Sequence, residues 1–299
     1  MQGNVTDIQR FSLNDGDGIR TTVFLKGCNM LCSWCHNPET ITFSNTLLHY
    51  QAKCIGCGKC FEACPKGAHS IKDGVHTIDR DTCIRCGRCV DVCYAQALQM
   101  SSSSMSVEEI MREIAQDIPY YQKSNGGVTV SGGEALCQLE FVDALIDACK
   151  ARGIQVAVET NLCHDFERIR PVLEKLDLLM FDIKLMDDTL HREYTGVGNQ
   201  LILENAKKAD ALGVTMIVRT PLIPGVTDTK ENLTAIAAFV SGLKHVKAYE
   251  LLNFNPLGGV KYEAMNADNT FHEARPLTEL RLEEIEQWLK PYKVKMKIR

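Results

Sequence analysis

The chain has 299 residues, 45% of them hydrophobic and 24% charged, with 33 basic against 38 acidic side chains for a formal net charge of −5. That is apolar material for one α/β barrel with an insertion, or for two domains, and it excludes disordered and fibrous classes. The acidic balance argues against binding nucleic acid through phosphate contacts, and no apolar run reaches the roughly 18 residues of a membrane-spanning helix. The start, Met1 to Asp7, lacks the basic and apolar regions of a signal peptide, so a cytoplasmic protein with no membrane partner is expected.

In chain order, the turn-rich Asn14–Gly18 precedes Arg20–Leu25, a β-branched run that reads as a strand. Residues 48–100 change character, becoming short-patterned and rich in Gly and Cys. The serine tract Ser101–Ser104 marks the return to regular elements and opens a helix over about 106–118. Strands are then expected at Val128–Val130, Gln155–Glu159, Leu178–Ile183, Met216–Val218 and Ala248–Leu252. Helical patterns fall near 138–152, 165–175, 199–212, 229–242 and 278–289. Alternating strands and helices predict a parallel sheet with crossover helices. With Thr21–Leu25 the count is six units, giving a partial (β/α)6 TIM-like barrel. In such folds the chemistry gathers where the strands end, and here those ends carry Cys28, Ser131-Gly-Gly-Glu134, Glu159-Thr-Asn161, Asp182-Ile-Lys184, Arg219 and Asn253-Phe-Asn255.

Fourteen cysteines are too many for an ordinary enzyme and too sparse for a small disulfide scaffold. Eleven fall between Cys28 and Cys93 in three groups. Cys54, Cys57, Cys60 and Cys64 recur at Cys83, Cys86, Cys89 and Cys93, each displaced by 29 residues, which is an internal duplication. The spacing C-x2-C-x2-C-x3-C, closed in the first block by Pro65, is the bacterial ferredoxin run, whose fourth cysteine crosses to the other cluster. By that rule Cys54, Cys57, Cys60 and Cys93 form one quartet and Cys83, Cys86, Cys89 and Cys64 the other. A zinc ribbon is the competing reading of C-x2-C pairs. Cys28-x3-Cys32-x2-Cys35 supplies only three thiolates, and a 4Fe-4S cluster so held keeps one iron open for a substrate or cofactor; His36 is the competing fourth ligand. Cys137, Cys149 and Cys163 read as structural. His49, His69, His76, His164, His191, His245 and His272 lie at no ligand spacing and read as surface or loop residues.

Cys28-x3-Cys32-x-Trp34-Cys35 resembles the radical S-adenosylmethionine motif. Asp15-Gly-Asp-Gly-Ile-Arg20, Phe24-Leu-Lys-Gly27 and His36-Asn-Pro38 resemble the glycyl-radical-enzyme activating enzymes, relatives of pyruvate formate-lyase activase, in the subgroup with a two-cluster ferredoxin-like insert. Asp17 stands where that family usually has proline. The resemblance implies a barrel domain of residues 1–47 and 101–299, with 48–100 inserted, and three 4Fe-4S clusters. It implies S-adenosylmethionine lined by Trp34, His36, Asn37, Ser131, Gly132, Gly133, Glu134, Glu159, Thr160, Met180, Asp182, Lys184, Arg219 and Asn255. Lys184 suits the methionine carboxylate and Asp182 a ribose hydroxyl. A monovalent cation is a further implied ligand, at a position where Glu159 replaces the family's aspartate. Asn255 stands where a histidine is common. Asp15 matches a position near the partner's glycyl loop.

The activity so implied is reductive cleavage of S-adenosylmethionine to a 5′-deoxyadenosyl radical that takes hydrogen from a glycine α-carbon of a partner enzyme, with ferredoxin or flavodoxin as electron donor. A monomer is expected. The alternatives are a radical enzyme acting on a small molecule or peptide, and an iron–sulfur electron carrier. The carrier reading leaves Cys28–Cys35 and the six strand ends without a purpose.

Overall fold

Each of the six apolar runs forms a strand in the computed structural model, which describes residues 1–299. After an N-terminal strand β1 (Gln2–Ser12), they are β2 (Arg20–Leu25), β3 (Gly127–Gly132), β4 (Gln155–Thr160), β5 (Leu178–Asp182), β6 (Met216–Leu222) and β7 (Val246–Asn253); a short β8 (Met296–Ile298) ends the chain. All neighbours from β2 to β8 pair in parallel, in sequence order, while β1 lies antiparallel on the free edge of β2 and Ser103–Ser106 pairs beyond it. The result is a nine-stranded α/β sheet. Crossover helices α1 (Val107–Ala115), α2 (Leu139–Lys150), α3 (Phe166–Leu173), α4 (Gln200–Ala211), α5 (Lys230–Ser241) and α6 (Glu279–Leu289) follow the expected periods.

The strands alternate between two apolar faces, as a sheet buried on both sides requires. Leu179, Phe181, Val158 and Val218 join the large core beneath the helices, whereas Leu178, Met180, Ala157, Ile217 and Ala248 form a small separate group on the inner face. The sheet curls around that inner group. Asn14, in the loop between β1 and β2, has a carbonyl that accepts from Arg219 Nη2 (2.6 Å) on β6 and from Arg299 Nη1 (3.2 Å) just past β8. A loop leaving one edge of the sheet can meet both only if the sheet bends towards a barrel. The curl stays open, because no ladder joins β8 to the other edge.

Several elements differ from the sequence reading. Residues Ser103–Ser106 form an edge strand against Gln2–Val5 before the helix opens at its cap, Ser106. The helix expected over 106–118 ends at Ala115, and a second turn, Ile118–Ser124, restarts with Pro119 in its first turn, where proline's missing N–H is tolerated. Its start is well defined, since Ser106 and Glu109 form a reciprocal capping box. Short helices at Asp188–Thr195 and Gly259–Met265, and the strands β1 and β8, had too weak a period to be read.

Met180 is the clearest relocation. It was expected beside Asp182 at the ligand, but it sits fully buried among Ala157, Leu178, Ile217 and Ala248, one layer below the strand ends. It fills the barrel floor.

Residues 47–100 carry their duplication into structure. Leu47–His49 pairs antiparallel with Leu98–Met100, and His69–Lys72 with Val75–Ile78. Helical turns Lys59–Ala63 and Arg88–Asp91 each follow a left-handed glycine, Gly58 (φ 76°) and Gly87 (φ 77°), at the 29-residue offset of the cysteines. The outer pair of strands brings entry and exit together.

If Met180 only fills the floor, Met180→Ala should destabilise the chain by about 2–5 kcal/mol, the usual cost of emptying a core site. Met180→Leu should cost less than about 1.5 kcal/mol. Chemical denaturation of the two variants checks this, and both should bind ligand at the barrel mouth as wild type does.

Candidate functional site

The parallel strands all end at one rim, where a cavity of about 490 Å³ opens. Its walls include Cys28, Cys32 and Cys35, then Trp34, His36 and Asn37, the loop Ser131–Glu134, Glu159, Thr160, Asp182, Lys184, Arg219, Asn255 and Asp15. Of the site residues expected at the mouth, Met180 is the one placed outside it.

Backbone hydrogen bonds fix the cysteine loop on three sides. Gly27 and Cys28 donate to the carbonyls of Thr40 (2.7 Å) and Ile41 (3.0 Å), while Leu31 and Ser33 donate to Thr195 and Tyr194 of the Asp188–Thr195 helix. From β3, Gly133 and Glu134 donate to the carbonyls of Leu25 (2.9 Å) and Gly27 (2.8 Å). This contact explains the glycine pair. At Gly132, φ is +136° and a Cβ would fall 2.1 Å from the Leu25 carbonyl oxygen; at Gly133 it would fall 2.6 Å from that of Gly27. Any side chain here would push the two loops apart.

Glu134 is 1% exposed, and its carboxylate is spent on protein. Oε1 accepts from Thr160 Oγ1 (2.7 Å) and Leu136 N (3.0 Å), and Oε2 from Asn161 N (2.6 Å). Asn161 in turn donates to Asn29 Oδ1 (2.7 Å), inside the cysteine loop. Glu134 thus positions its neighbours. Asn161 closes one of the strand ends read from the sequence, whereas Asn29 was not singled out, although it stands beside Cys28.

A second network crosses the interior. Arg219, 3% exposed, donates to Glu159 Oε1 (2.7 Å), Glu250 Oε2 (3.2 Å) and the Asn14 carbonyl. Glu250, fully buried in mid-strand, also meets Arg299 (2.8 Å). Burial alone would lift the Glu159 carboxyl, but Arg219 and the Ser131 hydroxyl (2.7 Å) hold it below its ordinary range. Burial likewise opposes the Arg219 charge, and the two glutamates keep it above its ordinary value. Arg219 is therefore no surface ion pair. With a guanidinium at one Glu159 oxygen and the Ser131 hydroxyl donating to the other, the residues do not fit the implied monovalent cation.

Lys184 is 8% exposed and pairs with Asp182, whose charge, with that of Cys32, raises the ammonium's pKa against burial. Asp15 accepts from Thr22 Oγ1 (2.7 Å), and its carbonyl from Thr129 Oγ1 (2.6 Å), on the inner wall below the rim. Asn255 is exposed and caps the Pro256–Gly258 turn through Leu257 N (3.0 Å). Trp34 packs on Leu185 and Ile223, edge-on to Phe271. Tyr262 Oη donates to the Cys35 carbonyl (3.0 Å). Burial pushes the Cys28 and Cys35 thiols up to about 11 and about 12. Thiols so placed ionise readily only when a metal replaces the proton, which suits a cluster.

In the 47–100 segment, one pocket is lined by Cys54, Cys57, Cys60 and Cys93, and another by Cys64, Cys83, Cys86 and Cys89. These are the two crossed quartets. The histidines are a correction: His49, His69, His76 and His191 are buried, at 9% exposure or less, because the first three pack on one another between the quartets and His191 Nδ1 donates to the Val197 carbonyl (2.6 Å). His164 Nε2 lies 3.2 Å from Glu134 Oε1.

The radical SAM superfamily model matches residues 22–236. The (2S)-3-sulfopropanediol dehydratase activating enzyme of Klebsiella oxytoca is 41% identical over 88% of this chain and 85% of its own. The trans-4-hydroxy-L-proline dehydratase activating enzyme of Clostridioides difficile is 38% identical over 95% and 94%. A crystal structure of a domain of pyruvate-formate lyase-activating enzyme from Bacteroides vulgatus ATCC 8482 superposes with a TM-score of 0.50 at 30% identity, covering 58% of this chain and 99% of that one. The chain belongs to the radical SAM superfamily and, within it, to the activating enzymes. No helix is long and apolar enough to cross a membrane.

Glu134→Ala would strip the acceptor from three donors, each costing about 1–3 kcal/mol when buried unpaired. It should unfold at clearly lower denaturant than wild type and hold iron poorly at Cys28–Cys35. Thr160→Val, which loses one hydrogen bond, should lose only about 1 kcal/mol in the same measurement.

Proposed function

We propose that this chain activates a glycyl radical enzyme from the cavity at its strand ends. With a 4Fe-4S cluster on Cys28, Cys32 and Cys35 and S-adenosylmethionine beside it, the bound groups supply reductive cleavage to a 5′-deoxyadenosyl radical that takes hydrogen from a glycine α-carbon of the partner. The observation that carries the reading is the convergence of three cysteines, a Gly-Gly-Glu loop and an Asp182–Lys184 pair on one cavity.

The chain's own residues bind, orient and exclude water. Lys184 has three N–H donors and spends one on Asp182, leaving two for the methionine carboxylate. Asp182 and Thr160 hold polar edges of the cofactor, as do Ser131 and Glu159, while the backbone of Gly132 and Gly133 lines the amino group. Trp34, His36, Asn37 and Asn255 form the cysteine side of the same cavity, and Arg219 keeps Glu159 ionised and in place. Asp15 faces the partner's glycine-bearing segment from the inner wall. Residues 48–100 form a ferredoxin-like insert with a 4Fe-4S cluster in each cysteine quartet, between barrel segments 1–47 and 101–299. The two quartet-lined pockets support this. A ferredoxin or flavodoxin supplies electrons, and the chain acts as a monomer in the cytoplasm.

Anaerobic incubation with the partner enzyme and S-adenosylmethionine should give a glycyl radical signal in the partner; 5′-deoxyadenosine without that signal would point to a small-molecule substrate. Reconstituted protein should hold about twelve irons, four per cluster. Cys32→Ala should abolish cleavage, whereas Cys57→Ala should keep some with a strong chemical reductant.

Removing one partner of a buried charged pair costs about 3–5 kcal/mol, so Lys184→Ala should weaken S-adenosylmethionine binding by roughly two orders of magnitude or more. Lys175, whose ammonium pairs with Asp143 and Asp147 at the surface, is the control; Lys175→Ala should bind as wild type does. Equal affinities would remove Lys184 and Asp182 from the site.

A further inference from the structure

The buried histidines connect the two cysteine quartets. His76 lines the pocket of the first quartet and His69 that of the second. His76 Nδ1 lies 3.9 Å from Cys54 Sγ, and its Nε2 lies 2.9 Å from His69 Nδ1 and 3.9 Å from Cys60 Sγ. The His49 ring packs on His76 at a tilt of 57° with centroids 4.3 Å apart, and its own Nε2 has no partner.

The chemistry of the atoms sets the direction of these bonds. A thiolate that binds metal accepts hydrogen bonds and donates none, and the N–N contact needs one donor and one acceptor. If His76 donated from Nε2 to His69, the lone pair on its Nδ1 would face the Cys54 sulfur, which is repulsive. The opposite order gives both His76 nitrogens and His69 Nδ1 a matching partner. His69 Nδ1–H donates to His76 Nε2, and His76 Nδ1–H donates to Cys54. Cys60 is then only in van der Waals contact.

We propose that His69 and His76 form a hydrogen-bonded bridge between the two cluster sites of the insert, fixing the His76 tautomer that donates to Cys54 and so raising the reduction potential of the first-quartet cluster. An N–H aimed at a ligand sulfur stabilises the more negative, reduced cluster, one of the ways a protein sets such a potential. His76 is a positioning and tuning group here, outside the radical site. The inference rests on the two-cluster reading of the insert.

The test is an EPR-monitored redox titration of the anaerobically reconstituted full chain, with iron analysis of each sample. The first-quartet signal is identified by its absence from Cys57→Ala. In His76→Phe this midpoint should move to a more negative potential while the other midpoints stay in place. His76→Gln, which keeps an N–H donor, should retain full iron and recover part of the shift. His69→Phe should move the same midpoint in the same direction by less, since the tautomer is no longer fixed. A midpoint unmoved in both His76 variants overturns the bridge, as does loss of about four irons in His76→Gln, which would make the imidazole a ligand or scaffold. Wild-type protein with only about four irons would instead remove the two-cluster reading itself.

Discussion

The site depends on two carbonyl oxygens, those of Leu25 and Gly27. Leu25 ends β2 and Gly27 follows two residues on, and both accept from the loop that ends β3, through Gly133 and Glu134. These bonds extend the β2–β3 ladder past the point where the strands would otherwise separate, and they hold the first cysteine against the neighbouring strand. Because a Cβ at Gly132 or Gly133 would overlap these oxygens, the glycines are required by the protein's own packing, before any ligand is considered. The same bonds bring Glu134 inward, where it gathers Thr160 and Asn161, and through Asn161 the cysteine loop again through Asn29. A ring of contacts thus returns to its starting loop, and the three thiols are held by β2, β3 and β4 together.

Buried charge is the second constraint. Glu250 and Glu159 lie inside the curled sheet, and charges so placed persist only when paired and hydrogen-bonded. Arg219 answers both, Arg299 answers Glu250, and both guanidinium groups also reach the Asn14 carbonyl. Hydrophobic residues would serve stability as well or better. What the ions add is geometry, because they tie the loop after β1 to β6 and the chain end, and so set the lower wall of the cavity where Asp15 stands. Asp15 and Lys184 line the same cavity.

The six strands and their crossover helices were legible because each strand is a short apolar run and each helix an amphipathic period long enough to stand out. The strand ends were legible too, since a polar residue closing an apolar run is conspicuous. Met180 misled because alternation correctly gave its side of the sheet but not its depth: two residues before Asp182 is one layer further down. Glu250 escaped notice for a related reason, being an acid in mid-strand whose partners lie 31 and 49 residues away. β1 and Ser103–Ser106 carry little apolar pattern and gain their strand character from pairing at the sheet's edge. The histidines show the limit most sharply. His49, His69 and His76 have no common spacing, yet a hairpin and a paired entry strand bring them together, and only the fold supplies that proximity.

The position of the insert follows from how it is attached. Its entry strand, Leu47–His49, pairs with its exit strand, Leu98–Met100, so the barrel sees two chain ends side by side and needs no distortion to accept the segment between them. Fixing comes from the helix Gly259–Met265. Arg80 of the insert donates to the Ala264 carbonyl (2.9 Å) and also to the Leu47 carbonyl, locking the insert to that helix. On the same helix Tyr262 holds the Cys35 carbonyl, and Lys261 meets Asn37 and Glu39 just after the cysteine loop. The insert and the three-cysteine loop therefore share one support of seven residues. Tyr262 and Ala264 are two residues apart, so the contact to Arg80 and the contact to Cys35 bear on the same short stretch of backbone.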